Sequence, residues 1–307
     1  MIDRKQRYQG CLLGLATGDA VGTTLEFREP GSFTPITDMV GGGPFNLRPG
    51  QWTDDTSMAL CLAHSLLECD GFDPGDQMRR YCDWRQNGYM SSNGRCFDIG
   101  VTVSEAISRF MASGDPYAGS TNPFTAGNGS LMRLAPVVMF YSPDLTTAIT
   151  RAGDSSRTTH GAQESVDACG YFASLLHLAF AGESKQAILE STVYSPQTRK
   201  ISAIAAGGYR DKNRQQIRGS GYVVDCLEAS LWCFAHTDNY RDAILTAANL
   251  GDDADTTAAV CGQLAGAFYG VDAIPEKWRT ALTDGPHIQS LADRLWEKSC
   301  SQPANQG

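Results

Sequence analysis

One stretch limits what this chain can fold into more than any other. From Thr257 to Gly270 the sequence reads TAAVCGQLAGAFYG and carries no charge on any helical face. A helix that is apolar all round has to be buried. Directly before it stand Asp252, Asp253 and Asp255. The fold must therefore carry carboxylates at the end of a buried helix, and a buried carboxylate needs pairing or a metal ion. A chain of 307 residues, 42% of them hydrophobic, can supply a core of the necessary size.

The remaining pattern is helical almost throughout. Apolar residues recur at helical spacing over 6–21, 55–69, 73–87, 100–113, 144–152, 160–181, 184–191, 222–236, 239–250, 254–269 and 287–298. Alternating runs are few and short. Gly14, Gly18 and Gly22 fall four residues apart, on one helical face where another backbone can come close. Residues 130–140 stay ambiguous, because Pro136 breaks any long helix there. Residues 28–53 form a long stretch without periodicity, a length that usually marks a functional loop. Residues 207–221 form a second, basic and polar loop. With no internal repeat and no low-complexity linker, the expectation is one all-α domain over 1–300 and a frayed tail over 301–307.

Two acidic clusters sit where helices begin. The first is Thr53-Asp54-Asp55; the second contains Asp253, Asp255 and Thr256. Either cluster alone reads equally as a helix cap, since Asp and Thr accept from free first-turn amides. Charge crowding argues for more. A cap needs one side-chain oxygen, whereas the second cluster packs three Asp into four positions, and like charges that close are costly without a cation between them. Oxygen ligands without His or Cys select a hard cation such as Mg²⁺, Mn²⁺ or Ca²⁺. A calcium loop of the EF-hand type is excluded, because counting from Asp253 its sixth position is Ala258 and its twelfth Leu264. Two facing carboxylate groups suit a pair of metals.

Bulk properties remove several function classes. A net charge of -9 argues against nucleic-acid or anionic-membrane binding. The ten cysteines include no C-x-x-C pair and read as reduced, mostly buried residues. No run approaches membrane-spanning length, and the charged start has no signal-peptide form, so a cytoplasmic protein is expected. G-x-S-x-G, H-E-x-x-H, Walker A and Rossmann patterns are all missing.

An ordered set of motifs resembles the ADP-ribosylglycohydrolases, of the kind that reactivate dinitrogenase reductase. It runs from Gly10-Cys-Leu-Leu-Gly-Leu-Ala-Thr-Gly-Asp-Ala-Val-Gly22 and Glu26 to Trp52-Thr-Asp-Asp-Thr56, Phe97-Asp-Ile-Gly100 and Gly127-Asn-Gly-Ser-Leu-Met-Arg133. Thr159-His160, Ser220-Gly-Tyr-Val-Val-Asp225 and Asp253-Ala-Asp-Thr-Thr257 complete it. The resemblance implies an orthogonal all-α bundle around a central cleft with two Mg²⁺ or Mn²⁺ ions. It implies Thr53, Asp54, Asp55, Asp253, Asp255 and Thr256 as metal ligands. Asp98 and Glu26 match carboxylates beside the scissile ribose and the metals, Glu26 on a loop that can gate the cleft. Gly100, Asn128, Gly129 and Ser130 match a diphosphate and ribose cradle, His160 a further contact there, and Tyr222 a stacking partner for adenine. Where the family usually has Gly, this chain has Asp252, which either tightens metal binding or points away.

The expected activity is hydrolysis at C1″ of ADP-ribose attached to a protein side chain, with arginine the favoured acceptor. Asp98 or Glu26 transfers a proton, and the pattern does not rank them. An O-linked acceptor (serine, or O-acetyl-ADP-ribose) is the second enzymatic reading. A non-catalytic ADP-ribose-binding or toxin-neutralising module is the reading from another class. The expected partners are ADP-ribose and an ADP-ribosylated protein, with the enzyme itself a monomer.

Overall fold

Gly10, Gly14, Gly18 and Gly22 determine how the centre of the molecule is assembled. The computed structural model describes residues 2–301. Its α-helices are α1 (Arg4–Gly22), α2 (Asp54–Glu68), α3 (Pro74–Asn87), α4 (Val101–Ser113), α5 (Ala135–Tyr141), α6 (Leu145–Arg157) and α7 (Gln163–Ala181). They continue with α8 (Lys185–Leu189), α9 (Arg199–Ala205), α10 (Val223–Ala235), α11 (Tyr240–Ala248), α12 (Ala254–Tyr269), α13 (Glu276–Ala281) and α14 (Gly285–Ser301). Short 3₁₀ turns and three isolated bridges are the only other regular features among the described residues. The fold is an all-α bundle, as the periodicity requires.

α1 and α12 run antiparallel at the centre in very close contact. A Cβ built on Gly10 would lie 2.2 Å from the carbonyl oxygen of Gly266, and on Gly14 2.4 Å from that of Gly262. The same seam continues from Gly18 to Ala258 and from Gly22 to Ala254. This register carries the C-terminal end of α1 to the N-terminal end of α12. Asp19 and Glu26 are thereby delivered to Asp253 and Asp255. The uncharged α12 is buried over most of its length, as its composition demands.

The remaining helices surround this pair. α11 and α10 pack on α12, α14 on α1, and α2 lies between α3, α5 and α14. Apolar side chains from Tyr8 to Leu295 join in one continuous core. Cys11, Cys61, Cys169, Cys226, Cys233 and Cys261 are buried, and all ten cysteines are free thiols.

The ambiguous stretch 130–140 resolves into turns followed by α5, with Pro136 in the first turn, where its missing N–H leaves no bond unmade. Residues 28–53 contain no helix, only the isolated bridge of Gly42 and Leu47. Helices α9 and α13 lie outside the periodic segments; at seven and six residues they are too short for a 3.6-residue period to emerge. Of the expected tail, Ser301 closes α14 and 302–307 lie outside the described residues.

Candidate active site

Several helices are capped by the side chain that precedes them. Asp3, Asp73, Asp144 and Asn239 each accept from an amide in the first turn of the helix they precede. Helices α2, α4, α10 and α12 have no such side-chain cap; their N-cap residues are Thr53, Gly100, Tyr222 and Asp253. The two acidic clusters are therefore not conventional caps. For α2 the capping task falls to Asp19 of α1. Its carboxylate accepts from the Thr53 amide at 2.9 Å and the Thr56 amide at 3.0 Å. It also accepts from the Thr53 hydroxyl at 3.0 Å and the Thr56 hydroxyl at 2.6 Å. Asp54 and Asp55 are left free for other work.

Thr53 Oγ1 lies at the meeting point of three carboxylates: Asp19 at 3.0 Å, Asp55 at 3.1 Å and Asp255 at 3.2 Å. One hydroxyl proton cannot satisfy three acceptors. Asp55 Oδ1 and Glu26 Oε2 are buried without any hydrogen-bond partner, a costly condition unless a cation completes the site. Asp19, Asp55 and Asp255 bring ligand oxygens within 4.8 Å of one another, and so do Glu26, Asp98 and Asp255. Two adjoining all-oxygen clusters that share Asp255 fit a pair of hard divalent cations.

Electrostatics agree with that reading. Burial, then the charge of Asp255, raises Asp54 well above the ordinary carboxylate range. Burial, then Asp19, does the same to Asp55. Asp253 is pushed up to about 7 and Asp19 to about 6, in both cases chiefly by burial. Asp98 rises to about 11 through burial and the charges of Asp54 and Asp255. Glu26 is raised by burial and by Asp255 and Asp98. Without cations these groups resist ionising together.

The clusters open into a cleft of about 340 Å³ whose floor includes Asp54, Asp98, Asp253, Asp255 and Thr256. Asp98 adopts a left-handed backbone, φ 60°, and does not cap α4, which begins at Val101. Residues Gly100–Val103 line the same cleft. The uncapped first turn of α4 therefore offers amides to an anionic group.

Asn128 and Gly129 form the facing wall. The Asn128 side-chain amide donates to Asp253 Oδ2 at 2.9 Å, which ties the wall to the acidic floor. The backbone amides of Gly129 and Ser130 have no protein acceptor among the described residues. The His160 ring lies against Gly127 and Gly129; a Cβ on Gly129 would come within 2.7 Å of it. His160 also lines the cleft. Burial and the charge of Arg133 lower its pKa to about 3, so it is neutral at physiological pH. The Ser130 hydroxyl turns inward, accepting from Ser156 at 2.8 Å. Tyr222 lies one residue beyond the cleft-lining Gly221, half-buried at the N-cap of α10. Its hydroxyl meets Glu164 and Lys200.

Two residues of the motifs had no role assigned from sequence. Asp19 is the helix-bridging carboxylate described above. Arg133 is fully buried, donates to the Gly129 carbonyl at 2.8 Å and Thr159 Oγ1 at 2.8 Å, and lies 4.9 Å over the Tyr81 ring. It holds the loop before it and the turn that carries His160. An Asp in GDAVG and an Arg ending NGSLMR look like ordinary polar positions until the fold shows them buried. Asp252 points away from the clusters: its carboxylate pairs with Arg218 at 3.2 Å. Its φ of 56° is left-handed, which explains why glycine suits this position and why Asp, one of the tolerated alternatives, can replace it.

The sequence profile described as ADP-ribosylglycohydrolase matches residues 1–305. The chain is 47% identical over 293 residues to the ADP-ribosylarginine hydrolase Tri1 of Pseudomonas putida, covering 95% of this chain and 78% of that one. It is 33% identical to the ADP-ribosyl-[dinitrogen reductase] glycohydrolase of Rhodospirillum rubrum, covering 90% of each. A solved chain of an ADP-ribosylglycohydrolase-related protein complex superposes with a TM-score of 0.85 at 41% identity, covering 97% of this chain and 99% of that chain. The helix pairing that joins the two acidic clusters thus belongs to a shared fold, and the chain belongs to the ADP-ribosylglycohydrolase family.

Proposed function

We propose that this protein hydrolyses the bond between C1″ of ADP-ribose and arginine side chains of modified proteins. The observation that carries the proposal is the meeting of Asp19, Asp55 and Asp255 around Thr53 Oγ1, joined through Asp255 to the floor of a cleft whose other walls offer open amides. Both the family and the P. putida relative's name point to this chemistry.

Thr53, Asp54, Asp55, Asp253, Asp255 and Thr256 hold two Mg²⁺ or Mn²⁺ ions, and Glu26 borders them. Bound there, divalent ions supply Lewis-acid grip on hydroxyl oxygens and lower the pKa of water. The protein's own groups do the rest. The α4 first turn and the amides of Gly129 and Ser130 bind the diphosphate, against the negative charge of the floor. Neutral His160 contributes a ring nitrogen without adding charge. Tyr222 receives the adenine. Glu26 and Asp98 stand together beside Asp255, and one of these two carboxyls would carry the proton from the attacking water to the departing guanidine nitrogen. Anionic oxygens around the sugar favour an oxocarbenium-like centre. No helix among the described residues is long and apolar enough to cross a membrane; we place the enzyme in the cytoplasm, as a monomer.

The test is release of ADP-ribose from arginine-modified and serine-modified peptides in Mg²⁺ or Mn²⁺. Release from the arginine peptide is expected. Release from serine alone assigns the enzyme to O-linked bonds, and ADP-ribose binding without release from either assigns a binding module.

A further inference from the structure

Beside the cleft lies a second and larger depression, a groove of about 860 Å³. Phe27 lines both. The residue is 68% exposed, and its backbone is left-handed at φ 59°. A bulky residue in that conformation persists only when its surroundings hold it there. Here the Phe27 amide donates to the Asp252 carbonyl at 2.7 Å and the Asp252 amide to the Arg28 carbonyl at 2.8 Å. The opposite wall holds Ile217 and Arg218, and Phe33 and Pro35 line the near one.

The groove is preassembled. Phe33 packs on Gly251, where an added Cβ would fall 2.8 Å from the ring. Asn249 clasps both the amide and the carbonyl of Ile36, and Arg214 donates to the Asn249 carbonyl at 2.9 Å. A chain of rings also leads from the groove toward the acidic floor: Phe27 and Phe45 are 6.4 Å apart and Phe45 and Phe97 5.2 Å, and Phe97 precedes Asp98.

Resting on the reading that the cleft holds ADP-ribose with C1″ near Asp98 and Glu26, we propose that this groove docks the polypeptide of the modified substrate protein. It takes an apolar or aromatic side chain near the modified residue, between Phe27, Phe33 and Ile217. Continuity with the cleft is the first reason, because Phe27 lines both and Glu26, beside it, lines the cleft. Size is the second, since the groove exceeds what one departing side chain fills. Charge is the third. Arg214 and Arg218 are matched in the lining by Glu29 and Asp252, with Arg218 paired to Asp252 at 3.2 Å, so the groove has no net charge to draw a diphosphate. Apolar rings with a neutralised polar rim are the usual composition of a peptide-binding surface. Asp252, which no metal role explains, is then a wall of the docking groove.

The experiment compares two substrates, free ADP-ribosyl-arginine and an arginine-ADP-ribosylated protein, in wild type and two variants outside the cleft. Phe33→Ser removes an anchor, and Gln215→Trp fills the groove from an exposed position on its wall. The expected result is a KM for the modified protein raised about tenfold, the loss typical of a well-packed aromatic contact. kcat is expected to hold on both substrates, and KM for free ADP-ribosyl-arginine to stay within about twofold by the same reasoning. Parallel losses on both substrates, or no change on the protein with either variant, overturn the docking role. Failure of wild type to release ADP-ribose from free ADP-ribosyl-arginine overturns the underlying reading and the groove's role with it.

Discussion

Asp19 serves helix α2 from another helix. By bonding the amides and hydroxyls of Thr53 and Thr56, it supplies the cap that the side chain of the N-cap residue Thr53 does not. Although Asp19 belongs to one of the two oxygen clusters, both its oxygens are engaged by Thr53 and Thr56, and a residue that orients ligands in this way typically contributes ten- to hundredfold to metal affinity. Asp19→Ala is therefore expected to weaken Mn²⁺ binding by about that factor and to lower stability by about 1–2 kcal/mol, as the loss of a cap does. Calorimetric titration of Mn²⁺ and chemical denaturation in chelator measure the two effects separately. Asp255 has the opposite balance. It is shared by both carboxylate clusters, and without metal it is one more buried negative charge. Asp255→Asn should abolish turnover and the metal-induced rise in Tm while leaving Tm in chelator unchanged or higher. A lower Tm in chelator would show that Asp255 is structural.

At the scale of elements, the seam between α1 and α12 sets the site. Replacing glycine by alanine inside a helix ordinarily gains about 0.5–1 kcal/mol. At Gly18 the new Cβ would lie 2.3 Å from the Ala258 carbonyl oxygen, and overpacking of this kind costs about 1–3 kcal/mol. The clash wins, so Gly18→Ala should destabilise the protein. Because the seam also fixes where Asp19 and Asp255 meet, Mn²⁺ affinity should fall as well; denaturant midpoints and metal titration read both. The spacing of Gly14, Gly18 and Gly22 showed that a backbone would approach, and the uncharged stretch after Asp255 showed a buried helix. That the two are partners, in a register joining remote acidic clusters, is a tertiary fact that local periodicity does not contain. The same limit explains Asp19 and Arg133, whose burial has no local signature. Asp252 was visible as an anomaly, but its left-handed backbone and its pairing with Arg218 depend on the loop packed against it.

For the whole molecule, the crowded carboxylates make metal binding and pH one linked variable. Asp19, Asp54, Asp55 and Asp253 are all raised in the folded protein, against roughly 3.9 in an unfolded chain. Below about pH 4 both states hold their protons and the difference vanishes. As pH rises above that, the unfolded chain ionises first, so the metal-free fold loses stability until the folded values near 6 to 7 for Asp19 and Asp253 are passed. Divalent ions bind the ionised form, so their stabilisation should grow over the same window. The gain in Tm from Mn²⁺ over chelator should be small at pH 5 and larger at pH 7.5; a larger gain at pH 5 would contradict the linkage. The most direct measurement of the central claim is ADP-ribose release from ADP-ribosyl-arginine by wild type and Asp54→Asn, each in Mn²⁺ and in chelator. Release is expected from wild type in Mn²⁺ alone. Equal release in chelator, or full activity of Asp54→Asn, would mean that these carboxylates do not form a metal-dependent hydrolytic centre.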